Sequence, residues 1–129
     1  MDQALEELLR YAGTVRAIKR TAAADLEIGE CRIQKGERVV LRIEAANRDP
    51  RRYSGPEHVD CTRRDASHFT FGAGSHSCVG ANLIRMAIKT ITAPLVQRFS
   101  AARLVRPADW MGGSVFRFPG SLWVSFENR

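Results

Sequence analysis

Residues 48–70 constrain the fold more than any other part of the chain. They carry Arg, Asp, Pro and Ser and few apolar side chains. A structureless stretch of that length inside a compact domain is uncommon, and it is usually functional or a linker. The segments on either side are periodic, so they must be held together across it. The chain has 129 residues, enough for one domain or a piece of one. A domain of that size should bury about two-thirds of its unfolded surface. One short helix, one long helix and several short strands make too few layers to do so comfortably. The sequence therefore predicts an α+β unit that is not a self-sufficient monomer.

The periodic segments are readily placed. Leu5, Leu8, Leu9 and Ala12 fall at helical spacing over 2–12, with Asp2 as a capping residue and Gly13 as a stop. Short apolar runs between 14 and 47 predict two or three strands, with turns at 29–30 and 35–37 and a helical turn over 44–49. Val79 to Arg98 reads as a second helix with a broad apolar face of Leu83, Met86, Ile91 and Leu95, bent or ended near Pro94. Two terminal strands are expected around 115–118 and 122–126, with a turn at Pro119-Gly120.

Charge and cysteine content exclude several classes. The net charge is +6, from 20 basic and 14 acidic residues. Only Lys19, Lys35 and Lys89 are lysines, so arginine supplies 17 of the 20. Arginine suits fixed, two-point contacts to carboxylates and phosphates. The arginines form no basic tail and no zinc-finger or RNP signature, so a nucleic-acid partner is not expected. No apolar run reaches the roughly 20 residues of a membrane span. The N-terminus lacks a signal-peptide layout, so a cytoplasmic location is the default. Cys31, Cys61 and Cys78 are not a disulfide framework, and neither CxxC nor CxxCH occurs.

The informative segment is Phe71-Gly72-Ala73-Gly74-Ser75-His76-Ser77-Cys78-Val79-Gly80. Cys78 stands in a glycine-rich loop that opens into the long helix. The positive helix end and its free N–H groups stabilise a thiolate there. Gly72, Gly74 and Gly80 allow backbone to approach a flat ligand closely. The loop lacks the glycine spacing and lysine of a phosphate cradle. A metal-bound or nucleophilic thiolate, a Cys–His pair with His76, and a buried structural cysteine all remain open on chemistry alone.

The same segment resembles the heme-binding signature of the cytochrome P450 family, FxxGxxxCxG, with Phe71, Gly74, Cys78 and Gly80 at its fixed positions. Other segments match in family order. Glu7-Leu8-Leu9-Arg10 resembles the ExxR motif of the K helix, and Tyr11 to Arg20 looks like the segment after it. Ala45 to Pro50 resembles the AANRDP stretch. Pro56 to Arg63 looks like the PxxFDxxR meander, with Val59 in place of Phe. Gly80 to Arg85 is similar to the start of the L helix.

The resemblance implies the C-terminal part of the P450 fold: K helix, short strands, meander, Cys loop, L helix and terminal β-hairpin. Residues 1–129 would then form a single truncated heme-binding domain. Cys78 would be the axial thiolate on the iron of heme b (iron protoporphyrin IX). Phe71, Gly72, Gly74 and Gly80 would shape the loop, and Arg20, His68 and His76 would meet the heme propionates. Glu7, Arg10 and Arg63 would form a buried bracing network. The family's I helix, with its oxygen-activating acid–alcohol pair, has no counterpart in the sequence. Heme-thiolate binding without ordinary monooxygenase turnover is the expected function. The alternative is a P450-type monooxygenase or peroxidase-like enzyme whose distal pocket is completed by a homodimer or by a partner chain.

Overall fold

The computed structural model describes residues 2–129. Helix α1 spans Asp2–Ala12. Strand β1 (Ile18–Thr21) pairs antiparallel with β4 (Arg38–Leu41), and β2 (Leu26–Ile28) pairs with β3 (Cys31–Ile33). The β2–β3 turn uses Gly29 at φ +59°, and the next turn uses Gly36 at φ +90°. Both are left-handed positions that favour glycine, and both lie where the sequence predicts turns. A one-turn helix, α2, covers Ile43–Ala46. Residues 47–73 contain no regular element. After a 3-10 turn at Gly74–His76, helix α3 runs from Ala81 to Arg98.

The C-terminal strands are β5 (Phe99–Leu104), β6 (Asp109–Gly112), β7 (Arg117–Ser121) and β8 (Val124–Asn128). Their pairing departs from the expected turn at Pro119-Gly120. β7 folds back on β6, with Gly112 at φ +111° beginning the reversal, and β8 pairs instead with β5. Pro119 and Gly120 lie inside β7, where the register slips from Asp109–Ser121 to Trp110–Pro119. They form a bulge, one of the strand positions that tolerate proline's missing N–H and often carry glycine. The β6–β7 hairpin then docks on the segment after α1. Arg16 N–H donates to the Val115 carbonyl at 2.8 Å, and Arg117 N–H donates to the Thr14 carbonyl at 2.9 Å.

The core is small and unusually polar. Leu5, Ala17, Ala22, Ile43, Tyr53 and Ala66 are its buried apolar residues, yet its largest fully buried side chains are Arg10, Glu7 and Asn47. Helix α1 accordingly buries Leu5, Glu7 and Arg10 and leaves Leu8 exposed. Helix α3 keeps its length through Pro94 but buries no residue. It meets α1 through ions, Arg85 with Glu6 and Lys89 with Asp2 at 2.7 and 2.6 Å. Asp2 thus serves as a first-turn anion. The expected apolar face of α3, with Leu83, Met86 and Ile91, points outward. Among the described residues no helix is long and apolar enough to cross a membrane.

Candidate functional site

Local hydrogen bonds build the cysteine loop. Gly72 N–H donates to the Phe69 carbonyl at 2.8 Å, and Ser77 N–H donates to the Gly74 carbonyl at 3.1 Å. Gly72 and Gly74 hold φ of +71° and +70°, so a side chain at either position would strain the loop. Cys78 N–H then donates back to the Phe71 carbonyl at 2.7 Å, which closes the loop on itself. Ala81 N–H donates to the Cys78 carbonyl at 3.2 Å, so the cysteine leads directly into α3, with Gly80 as its N-cap. Cys78 is exposed, which removes the buried structural reading.

Cys78 opens onto a cleft of about 460 Å³. Val15, Ala17, Ile18, Phe71, Ile84, Val115 and Phe116 line it with apolar surface. Thr14, Lys19, Thr70 and His76 add polar or cationic groups, and no carboxylate lines it. The site therefore offers one sulfur, an apolar slot and positive or donor groups. Among the described residues no cluster of three or more His, Cys, Asp or Glu could hold a metal ion. A metal here would bring its remaining ligands with it. A flat, largely apolar macrocycle with carboxylate substituents fits that donor set.

The cleft gathers Phe71, Gly72, His76 and Cys78. Gly74 and Gly80 sit in the loop beside it. Arg20 is two residues beyond Ile18 on β1, so strand alternation puts both on one face. Its guanidinium donates to the Lys19 carbonyl at 2.9 Å. His68 is placed elsewhere. Its side chain is only 2% exposed and lies outside the cleft lining, with Nε2 3.2 Å from Glu6 Oε2. Burial holds its imidazole below the ordinary value. Thr70 N–H donates to Nδ1 at 3.2 Å, so the ring proton belongs on Nε2.

The Glu7–Arg10–Arg63 network is present, with Glu7 and Arg10 fully buried and Arg63 partly so. Arg10 Nε and Nη2 meet the two Glu7 oxygens at 2.7 Å each. The remaining Arg10 donors reach the carbonyls of Asn47, Pro56 and His58 at 2.7, 3.0 and 3.2 Å. Every N–H of the guanidinium is therefore used. Glu7 also accepts from Asp60 N–H at 3.0 Å and from Arg63 Nε at 3.1 Å. The Arg10 guanidinium, against burial, pulls the Glu7 carboxyl down to about 2. The meander thus receives its order from α1.

Two residues assigned no role by sequence reasoning link this brace to the cleft. Asn47, 2% exposed, donates from Nδ2 to Thr70 Oγ1 at 3.0 Å and accepts Phe69 N–H at 2.8 Å. Thr70 Oγ1 donates to the Leu9 carbonyl at 2.7 Å. The AANRDP stretch carried the signal for Asn47; nothing local marked Thr70. Gly13 is fitted against this pair, since a Cβ there would lie 2.7 Å from Thr70 Cγ2. We expect Gly13→Ala to cost about 1–3 kcal/mol by overpacking, measurable by denaturant unfolding. A neutral result would mean that Thr70 can move aside.

Comparison with known proteins agrees with this geometry. The family model for "Cytochrome P450" matches residues 1–118. The chain is 44% identical over 128 residues to cytochrome P450 CYP107DY1 of Priestia megaterium, covering 98% of this chain and 31% of that protein. It is 38% identical over 128 residues to nocardicin C N-oxygenase of Nocardia uniformis, covering 95% of this chain and 32% of that protein. Among solved structures, the CYP116B5 heme domain of Acinetobacter radioresistens superposes with a TM-score of 0.93 at 30% identity, over 98% of this chain and 31% of that one. P450BioI, solved in complex with hexadec-9Z-enoic acid ligated acyl carrier protein, superposes with a TM-score of 0.92 at 35% identity, over 98% of this chain and 33% of that one. The chain spans about a third of the length of these relatives. The cysteine loop, the buried Glu–Arg–Arg brace and these matches together mean that this chain belongs to the cytochrome P450 family, whose cofactor is heme b (iron protoporphyrin IX).

Proposed function

We propose that this chain forms the proximal, heme-holding side of a P450 site, with Cys78 as the thiolate on the iron. The supporting observation is the position of Cys78, exposed at an apolar cleft and clamped through its N–H to the Phe71 carbonyl. Heme, when bound, supplies an iron centre for oxygen and electron chemistry, onto which a thiolate pushes electron density. The chain's own residues hold and orient. Ile18, Phe71, Ile84 and Phe116 offer apolar contact to a flat ligand seated on the sulfur. Arg20 and His76 are the donors for the propionates. The N-terminus of α3 directs its positive end toward the loop that carries the sulfur. The geometry favours His68 as a support behind the loop over the propionate role. The function we assign to the chain by itself is heme-thiolate binding, with no residue of the cleft given a part in oxygen activation.

A second reading draws on the apolar surface left uncovered. Leu83, Met86 and Ile91 are each at least 60% exposed, and Phe116 at the cleft is 52% exposed. Monomers rarely leave contiguous apolar patches beyond about 300–600 Å² in water. Further protein over this face, a second copy or a chain carrying the distal half of the fold, would complete a P450-type monooxygenase or a peroxidase-like enzyme.

One experiment tests both readings. Heme is titrated into the protein, the complex is reduced under carbon monoxide, and its absorption is recorded beside its mass in solution. A strongly red-shifted Soret band is expected, and Cys78→Ala should abolish it. A band unchanged in Cys78→Ala would end the thiolate assignment. Heme-dependent oxidation of a small aromatic, faster than free heme and confined to an assembly larger than the monomer, favours the second reading.

A further inference from the structure

We propose that Glu6, His68 and Arg85 are positioning residues for the Cys78 loop, holding the Phe71 ring from behind and through it the sulfur. The inference rests on the heme-thiolate reading above. It concerns residues outside both the cleft and the Glu7–Arg10–Arg63 brace.

Phe71 has two tasks in the loop. Its carbonyl accepts the Cys78 N–H at 2.7 Å, and its side chain lines the cleft. A ring that drifted would carry that carbonyl with it. Two groups fix the ring. The Arg85 guanidinium sits 4.8 Å from its centroid, within cation–π range, and the His68 ring lies 5.8 Å away at 54°. Both lie against one carboxylate on α1, which holds Arg85 directly. Arg85 Nε and Nη2 reach the two oxygens of Glu6 at 2.7 and 2.8 Å. His68 Nε2 stands 3.2 Å from Glu6 Oε2, out of line for a hydrogen bond and with no other partner.

This differs from an ordinary surface ion pair, which contributes about 0–1 kcal/mol and fixes little. Both partners are roughly 30% exposed, and the contact is two-pointed. A two-point pair sets the plane of the guanidinium as well as its position, so the cation is presented to the ring in one orientation. Arg85 belongs to the helix that opens just after Cys78. The meander-side and helix-side ends of the loop are thus pinned together across Phe71 and anchored to α1. Burial of His68 is costly unless its ring is useful where it lies, since a buried nitrogen without a partner is destabilising. Filling the space beside Phe71 is that use. None of the three residues lines the cleft, so they act through Phe71.

The test uses the heme-loaded protein with Arg85→Met, Glu6→Gln and Arg85→Lys. It reads heme affinity, the thiolate signature of the reduced carbon monoxide complex, the reduction potential and the thermal midpoint. Arg85→Met should weaken heme binding about tenfold, as loss of an outer-shell support typically does, and should convert part of the heme to a form without the thiolate band. Arg85→Lys keeps a cation near the ring and should restore most of that band. Glu6→Gln, a milder change should Arg85→Met fail to fold, should give a several-fold loss with a shifted potential. A lowered midpoint with unchanged band, affinity and potential in every variant would overturn the proposal and leave Glu6–Arg85 as a structural pair. A wild-type protein without the thiolate band would instead mean that the heme-thiolate reading had failed.

Discussion

Arg10→Met is expected to destabilise the fold by about 3–5 kcal/mol, the range for removing one partner of a buried ion pair. The residue is 1% exposed and its partner Glu7 is fully buried. Methionine fills much of the same volume, so the loss is of charge and hydrogen bonds more than of packing. Glu7 would keep Arg63 and the Asp60 N–H but lose its two-point partner. The carbonyls of Asn47, Pro56 and His58 would lose the donors that order the meander. Denaturant unfolding at neutral pH measures the effect, and a loss below about 1 kcal/mol would contradict a buried network. Acid supplies a second check. The Glu7 carboxyl titrates at about 2 in the folded protein against an ordinary 4.5. A depressed folded value favours the folded state above 4.5, and that contribution is lost as pH falls from about 4.5 through 2. In Arg10→Met burial opposes the charge on Glu7, so protonation relieves the variant. The gap between wild type and variant should narrow below about pH 4.5.

That network explains which parts of the fold were legible in the sequence. The limits of α1 were readable because periodicity and Gly13 mark them. Its buried face was not readable from the hydrophobic pattern, which scores Leu8 as core and Glu7 as surface; the buried Glu7–Arg10–Arg63 network followed only from the family resemblance, because the pairing spans 56 residues to Arg63. The stretch 48–70 could be recognised as special by composition, but its order comes from side chains of α1 reaching distant carbonyls. Helix α3 was readable in length, though its apolar face points outward. Pro119-Gly120 carries the same local signal whether it makes a turn or a bulge, and only the partner strand decides between them. At the site, the spacing of Phe71, Gly72, His76 and Cys78 within one loop made their convergence visible. His68 lies beside Glu6, far away in sequence, and no local signal marks that neighbour.

Asn47→Leu should cost about 1–3 kcal/mol, because it removes the acceptor of the part-buried Phe69 N–H and one of the two partners of Thr70 Oγ1. Phe69 N–H would lose its acceptor and Thr70 Oγ1 its donor, while leucine matches the amide in size. The backbone carbonyl of residue 47 still meets Arg10, so the meander brace survives and the damage falls on residues 69 and 70. Thr70 has little freedom to find another partner, since its hydroxyl is committed to the Leu9 carbonyl and its methyl is pressed against Gly13. The strain must pass to Phe71 and so to the bond that closes the cysteine loop. Asn47→Leu is therefore expected to lower heme affinity as well as stability, whereas Gly55→Ala, at a meander position with φ +57°, should lower stability alone. Parallel unfolding and heme titration of the two variants separate these effects. An Asn47→Leu protein with undiminished heme affinity would show that the cysteine loop holds its shape through its own backbone bonds, without the Asn47–Thr70 link.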